Sequence, residues 1–415
     1  MRAVVCANGE LSVQTLPALQ PGSGQVLLNV LRCGICGSDL HARSHCDELA
    51  DLFAAGGFDA MMRSHQSVVM GHEFCGEIVE YGPGTRRRWK PGTPVVAMPI
   101  LRHGRDPHPT GLSAHASGGY AEQVLAQECM TFAVPNGLSA DHAALTEPMA
   151  VAWHAVRKGR VSSKRTAFVI GCGPVGLAVI ALLKASGVRT VIASDFSPRR
   201  RELATRCGAD IVVDPAVEGP WDHAPEKDRA ADAVETLNLG FDIMERLRRI
   251  PHLPWWYAFR ALHTFDLGPT GPDVFECVGA PGIIEQIIAA APPRSRVVVV
   301  GVCMETDRFQ PVMAINKEVE LRFALGYDPG EFRDALHMIA DGKVDPTPLI
   351  TGTVGLDGVG GAFTALASPD YHAKILIDPT IKAPTPEVTG STRRCPDRNR
   401  STVSFRPDQC PGGTI

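Results

Sequence analysis

The chain has 415 residues, 44% apolar and 21% charged, with a formal charge of −4. That length allows two or three domains with a large core, and the slight negative charge excludes the global positive field that would draw in nucleic acid. The opening MRAVVCANGE has no long apolar run, and no stretch approaches the roughly 18 apolar residues of a membrane span, so neither a secretory signal nor a membrane partner is expected and the 12 scattered cysteines suggest a reducing, cytoplasmic compartment.

Residues 1–130 read as short strands, MRAVVC, QVLLNVLRCGI, CGEIVEYG and TPVVAMPI, between Gly and Pro turns, which predicts a β-rich unit with little helix. Within it, CGICGSDLH at 33–41 gathers two cysteines, a serine, an aspartate and a histidine. A structural zinc finger needs a second CxxC-like pair, and none follows. A redox CxxC would open a helix beside a βαβ unit, whereas this one lies among predicted strands. An open catalytic metal site remains. VVMGHEFCGEIVEYGPG supplies His72 and Glu73, and Cys36 with an imidazole and a carboxylate makes three ligands and one free position.

From residue 140 the pattern changes. DHAALTEPMAVAWHAVRKG has helical spacing. TAFVIGCGPVGLAVIALLKASG then reads as a strand, a glycine turn and an apolar helix, and RTVIASD, ADIVVD, DVFECVG and RVVVVGV are further strands. The alternation predicts a doubly wound parallel sheet. Gly171 makes the turn, Gly173 lets the backbone approach a pyrophosphate, and Gly176 packs helix on strand, with Pro174 and Val175 opening the helix toward the negative charge. Asp195 closes the second strand about 20 residues on, where a carboxylate binds ribose hydroxyls and repels a 2′-phosphate, so NAD is favoured over NADP. Arg200, in the run Arg199–Arg201, could offset that repulsion. Beyond 380 the chain turns polar and rich in Pro, Thr and Arg, and a disordered tail is expected over 381–415.

Taken in order, CGICGSDLH, GHEFCGEIVEYGPG, TEPMAVAWHAV and GCGPVG with Asp195 resemble the zinc-dependent medium-chain alcohol dehydrogenase family. Glu147-Pro148 resembles the sorbitol, polyol and threonine dehydrogenase branch, since ethanol-type members carry a cysteine in place of Glu147. The resemblance covers nearly all of 1–380. It implies an α/β plus β fold: a GroES-like β-rich catalytic domain over 1–153 and 305–380, and a Rossmann NAD-binding domain over 154–304 with an insertion at 216–270. It also implies one catalytic Zn2+ at Cys36 and His72, with Cys33 a buried neighbour. Glu73 and Glu147 are the carboxylates near that metal, one on the ion and the other on its water, in an order left open. Asp39 would orient a ligand imidazole, the alternative being a turn-capping aspartate. Ser38 and His41 would relay the alcohol proton toward solvent.

The implied reaction moves a hydride from a secondary alcohol or polyol to NAD, giving a ketone or aldehyde. A homo-dimer or homo-tetramer joined through strands near VVVVGV is the implied assembly. An NADP-linked carbonyl reductase, a zinc-free reductase and a non-catalytic dinucleotide-binding protein of the same fold are the alternatives. The joint presence of Ser38, His41 and an open ligand set favours the zinc enzyme.

Three stretches depart from the family pattern. PILRHGRDPHPTGLSAHASGGYAEQ, 99–123, has no cysteine where many relatives carry a four-cysteine zinc lobe. The spacing of His103, His108 and His115 fits no recognised site, so no structural zinc is expected. The stretch 42–66 is longer than usual, and its amphipathic DELADLFAAGG either lines the substrate cleft or is a surface excursion. The insertion at 216–270 holds Trp255, Trp256 and Tyr257 beside Arg248, Arg249 and Arg260. A lid or subunit contact that shapes a site for a bulky apolar substrate is favoured there over a membrane-surface helix.

Overall fold

The computed structural model describes residues 1–225, 233–264, 271–368 and 371–388. The chain opens with β1 (Arg2–Ala7), β2 (Glu10–Thr15), β3 (Gln25–Gly34) and α1 (Gly37–Ala55). There follow β4 (Val68–Val69), β5 (Glu73–Tyr81), β6 (Pro94–Ala97), β7 (Ile100–His103), β8 (Asp106–Pro109), β9 (Gln123–Gln127) and β10 (Thr131–Ala133). Helices α2 (Ala140–Ala143) and α3 (Thr146–Gly159) lead into β11 (Ala167–Ile170), α4 (Pro174–Ala185), β12 (Val191–Ser194), α5 (Pro198–Arg206) and β13 (Ile211–Val213). Next come α6 (Ala233–Arg248), α7 (Trp255–Thr264), β14 (Asp273–Glu276), α8 (Ile283–Ala290), β15 (Arg296–Val299), α9 (Pro311–Asn316) and β16 (Glu320–Phe323). The chain ends on α10 (Pro329–Ala340), β17 (Ile350–Val354), α11 (Val359–Ala367), β18 (Lys374–Ile377) and β19 (Glu387–Val388).

Strands β11 to β16 form one parallel sheet in the order β13-β12-β11-β14-β15-β16. This is the doubly wound order in which the chain reverses between its first and fourth strands. Its strands are continuous apolar runs such as AFVI and RVVV because helices cover both faces. On one face α4 buries every residue from Gly176 to Leu183. On the other, Ile284, Ile287 and Ile288 of α8 share a core with Phe168, against which Trp221 packs with its ring tilted by 38° and centred 4.6 Å away.

The N-terminal strands and the late strands β17 to β19 form a second sheet, ordered β10-β6-β5-β3-β18-β17-β19, with β9 also paired to β3. A single core joins the two units. Cys75, Val96 and Met98 of the second sheet pack with Met149 and Val156 of α3 and Leu336 of α10.

Several expectations need correction. A 19-residue helix, α1, crosses the stretch read as all β, with Cys36 at its N-cap. The CxxC therefore does open a helix. What disqualifies a redox pair is Cys33, which is buried in β3 with its thiol pushed well above the usual range by burial and by Asp39 and Glu73. The VVVVGV strand, β15, lies inside the sheet between β14 and β16, and the edge strand near it is β16, the other edge being β13. Order also continues past 380, because Glu387 and Val388 pair with β17. The rest of the expected tail, 389–415, lies outside the described residues.

The two long stretches resolve differently. Residues 42–55 prolong α1, and Met62 is buried beyond it, its N–H donating to Leu112 O at 2.7 Å. The insertion forms α6 and α7, packed on each other, with the Arg248 guanidinium 5.9 Å from the Trp255 ring centre. Residues 226–232 and 265–270 of it lie outside the described residues. No helix among the described residues is long and apolar enough to cross a membrane.

Candidate functional site: a metal centre and a dinucleotide cradle

The metal centre is built where β3 ends and α1 begins, against the start of β5. A β-bulge-rich pairing of β3 with β5 sets Gly34 opposite Glu73. A side chain at Gly34 would collide with the Glu73 carboxylate, so glycine is required for the approach. Three donor atoms, from Cys36, His72 and Glu73, lie within 4.8 Å of one another, and they form the one such group among the described residues. Thiolate, imidazole and carboxylate are the donor types a catalytic zinc takes.

Asp39 contacts the groups that both of its readings name. As the third residue of α1 it accepts the Cys36 N–H at 2.9 Å, a helix cap. Its other oxygen faces His72 Nδ1 at 3.2 Å, and both atoms are buried without another partner. Tyr120 Oη donates to Asp39 at 2.6 Å. Burial pushes the Asp39 carboxyl up, but His72 and these hydrogen bonds outweigh it and hold it below the usual range. Nε2 of His72 is left to face Ser38 Oγ at 3.3 Å. Burial disfavours a charged His72, yet Asp39 and Cys36 outweigh that too, so the ring keeps its proton well above the usual imidazole range.

The two carboxylates have different partners. Glu73, fully buried, accepts from Lys374 Nζ at 2.6 and 2.7 Å, and that buried ammonium also donates to Ile35 O at 3.0 Å. Glu147 lies outside the three-donor group and accepts from Tyr327 Oη at 2.9 Å. Burial, with help from Glu73, pushes its carboxyl up to about 7. His41 is exposed one turn along α1 from Ser38, and no hydrogen bond joins them among the described residues. Partial burial and the nearby His45 lower its pKa.

The cradle follows β11. Gly171 takes φ +92°, Gly173 caps α4 and Pro174 sits in its first turn, with Val175 next. A Cβ at Gly176 would collide with the Gly171 carbonyl oxygen, whereas one at Gly173 would meet nothing within 4 Å. That open backbone at a helix N-terminus suits a pyrophosphate. Asp195 accepts from the N–H groups of Cys172 at 2.7 Å and Ser197 at 2.8 Å. Arg199 pairs with Glu202 and Arg201 with Asp214, so Arg200, 3.9 Å from Asp195, is the arginine of the run nearest that carboxylate.

Lys374, Tyr120 and Tyr327 escaped the sequence reading. Lys374 left a signal, a lone lysine in the apolar run AKILI. The tyrosines left none, because only folding brings them to Asp39 and Glu147.

A parallel-sheet dinucleotide cradle in one chain with a thiol–imidazole–carboxylate centre defines a nucleotide-dependent oxidoreductase. Residues 22–136 match the alcohol dehydrogenase GroES-like domain, and 174–341 match the zinc-binding dehydrogenase model. The chain is 30% identical to (R,R)-butanediol dehydrogenase of Bacillus subtilis (strain 168) over 378 residues, which cover 88% of this chain and 94% of that protein. Identity to sorbitol dehydrogenase of Bos taurus is 26%, covering 92% of this chain and 97% of the other. The crystal structure of 2R,3R-butanediol dehydrogenase from Bacillus subtilis superposes with a TM-score of 0.68 at 28% identity, covering 91% of this chain and 99% of that one. The chain belongs to the zinc-dependent medium-chain alcohol dehydrogenase family and is an alcohol oxidoreductase.

Proposed function

We propose that the protein oxidises a secondary alcohol, of the vicinal diol or polyol class, with NAD, giving the ketone, NADH and a proton. The Cys36–His72–Glu73 group carries this reading, and the butanediol and sorbitol dehydrogenases among its relatives support the substrate class. Cys36, His72 and Glu73 would hold zinc, and Glu147, steadied by Tyr327, would serve the water or alcohol beside it. When bound, zinc acidifies the alcohol hydroxyl and NAD accepts the hydride.

The chain's own residues do the rest. Asp39 fixes the His72 ring through Nδ1. Lys374 neutralises Glu73, so the centre does not collect surplus negative charge. Ser38 would take the hydroxyl proton as it gives up its own. His41, exposed one turn along α1 and not hydrogen-bonded to Ser38 among the described residues, would pass a proton to solvent once the gap between them is bridged, its lowered pKa keeping the ring neutral and able to accept at neutral pH.

Asp195, just past the second strand of the sheet, supports NAD over NADP, since a carboxylate there would repel a 2′-phosphate. Exposed apolar residues beside the β16 edge, Phe323, Leu325 and Ile315 at 65, 76 and 73%, support a dimer or tetramer. Ten unpaired cysteines among the described residues fit a cytoplasmic location.

The test is initial rates on 2,3-butanediol stereoisomers, sorbitol and primary alcohols, with NAD and with NADP. The expected result is higher kcat/KM on the secondary diols and with NAD. A preference for primary alcohols, or for NADP, would overturn the corresponding half of the reading.

A further inference from the structure

Three imidazoles meet on the β7–β8 hairpin. Its register sets Leu101 opposite His108 and His103 opposite Asp106, so His103, Asp106 and His108 share one face. The loop that follows folds back through a Ser113–Ala116 bridge and brings His115 to the same place. Ring centres stand 6.0 Å apart for His103 and His108, 5.0 Å for His108 and His115, and 4.6 Å for His103 and His115.

The base of the cluster is built. His108 is buried, and its Nδ1 lies 2.9 Å from Ser113 Oγ. That contact fixes the ring and leaves Nε2 as its ligating nitrogen, the arrangement that metal-bound histidines use. Ser113 Oγ also accepts the His115 N–H at 3.4 Å, so one hydroxyl anchors both the ring and the loop. Burial and the two neighbouring imidazoles lower the pKa of His108, which keeps its nitrogen free to coordinate.

The size of the triangle is informative. With metal–nitrogen bonds of about 2.1 Å in a tetrahedral site, the centres of three imidazole ligands stand about 5 Å apart. The observed separations bracket that value. What differs is aim: the three rings do not bring their ligating nitrogens within 4.8 Å of one another as the Cys36 centre does, because His103 and His115 stack at 25° rather than converge. Both are exposed, so turning them toward a shared ion costs no core packing.

We propose that His103, His108 and His115 form a second metal site, for a divalent transition-metal cation of the zinc class, with Asp106 as the adjacent carboxylate. It shares no residue with the Cys36–His72 centre. Linear spacing could not show it, because His115 arrives only through the 113–116 fold-back. The bound ion ties the hairpin to the segment 110–120. That segment packs Gly111 and Gly118 on Gly71 and presents Tyr120 to Asp39. Occupancy thus stiffens the wall behind His72.

The experiment is a calorimetric titration of the full chain, its catalytic zinc retained, with Zn2+. Wild type takes up one further equivalent, and a thermal melt rises with added Zn2+. In H103A/H115A, which alters only exposed rings, affinity for that equivalent falls at least tenfold and the rise disappears. Ser113→Ala weakens it by about 10–100-fold. Unchanged alcohol oxidation by H103A/H115A shows that the variant is folded and keeps this result apart from the reading of the catalytic centre. No further uptake by wild type, or uptake of equal affinity by H103A/H115A, would overturn the site.

Discussion

Lys374 is 1% exposed and gives two contacts under 3 Å to a single carboxylate, Glu73, itself fully buried. Such a pair is costly to break from one side, because the remaining charge stays buried alone. Lys374→Met should therefore destabilise the metal-free protein, in which Glu73 has no other cation, by about 3–5 kcal/mol, read as a shift in the denaturant midpoint. A change under about 1 kcal/mol would mean that Glu73 finds another partner or takes up a proton. Ser38 makes a different prediction. Its hydroxyl sits on His72 but carries no fold. Ser38→Ala should cut kcat by about 100-fold or more while zinc content stays unchanged. An unaltered kcat would remove Ser38 from the proton path. At this scale the sequence was readable wherever residue type and spacing coincide, as in Cys36, Ser38, Asp39 and His72. The partners of Asp39 and Glu73 come from far along the chain, Tyr120 at a separation of 81 and Lys374 at 301, and although Lys374 shows as a lone lysine in AKILI, no local pattern says which residue either one meets.

Among the elements, the turn before β5 decides whether the centre forms. Gly71 holds φ +100°, and a Cβ there would strike the Tyr120 ring and approach Cys33 Sγ at 2.9 Å. Gly71→Ala should cost about 1–3 kcal/mol through crowding and lower zinc occupancy by displacing His72. Full occupancy with normal stability would show that the turn can relax. The cradle was legible because its glycines serve one backbone geometry, strand to helix over a phosphate. Helix α1 was not. Its sequence, GSDLHARSHCDELADLFAA, mixes polar residues with small ones and buries only Asp39, Ala42, Cys46 and Ala50, so its apolar period is weak. It also kinks at His45, whose φ of −134° breaks the helical pattern. What fixes α1 is its start, the Cys36–Asp39 cap, which serves helix and metal centre together.

Across the whole molecule, one core links the two sheets through α3 and α10 and carries the cradle, while Cys33, Met70, Phe74 and Tyr120 around the metal centre pack in a second core of the β-rich unit. The parallel order was readable from uniform apolar strands such as RVVV of β15, and the charged ELRF of β16 has the composition of an edge strand, which is where the sheet ends. The fold also sets a pH response. His372 is buried beside Thr351, and burial with the Arg199 charge lowers its pKa against the opposing hydrogen bond from Thr351. The unfolded chain then binds the proton more readily, so stability is full above the ordinary histidine pKa of about 6.5 and falls as pH drops below it. His372→Gln should lose less stability than wild type between pH 7.5 and 5.5, measured by urea midpoints at each pH. Equal losses would assign the acid sensitivity elsewhere.

The most direct measurement of the central claim is zinc per chain in purified wild type and in Cys36→Ser, by elemental analysis without added metal. If Cys36 holds the ion, the variant contains about one equivalent less than wild type and no longer reduces NAD with any alcohol. Equal zinc in the two proteins, or a zinc-poor wild type that still turns over, would contradict that claim.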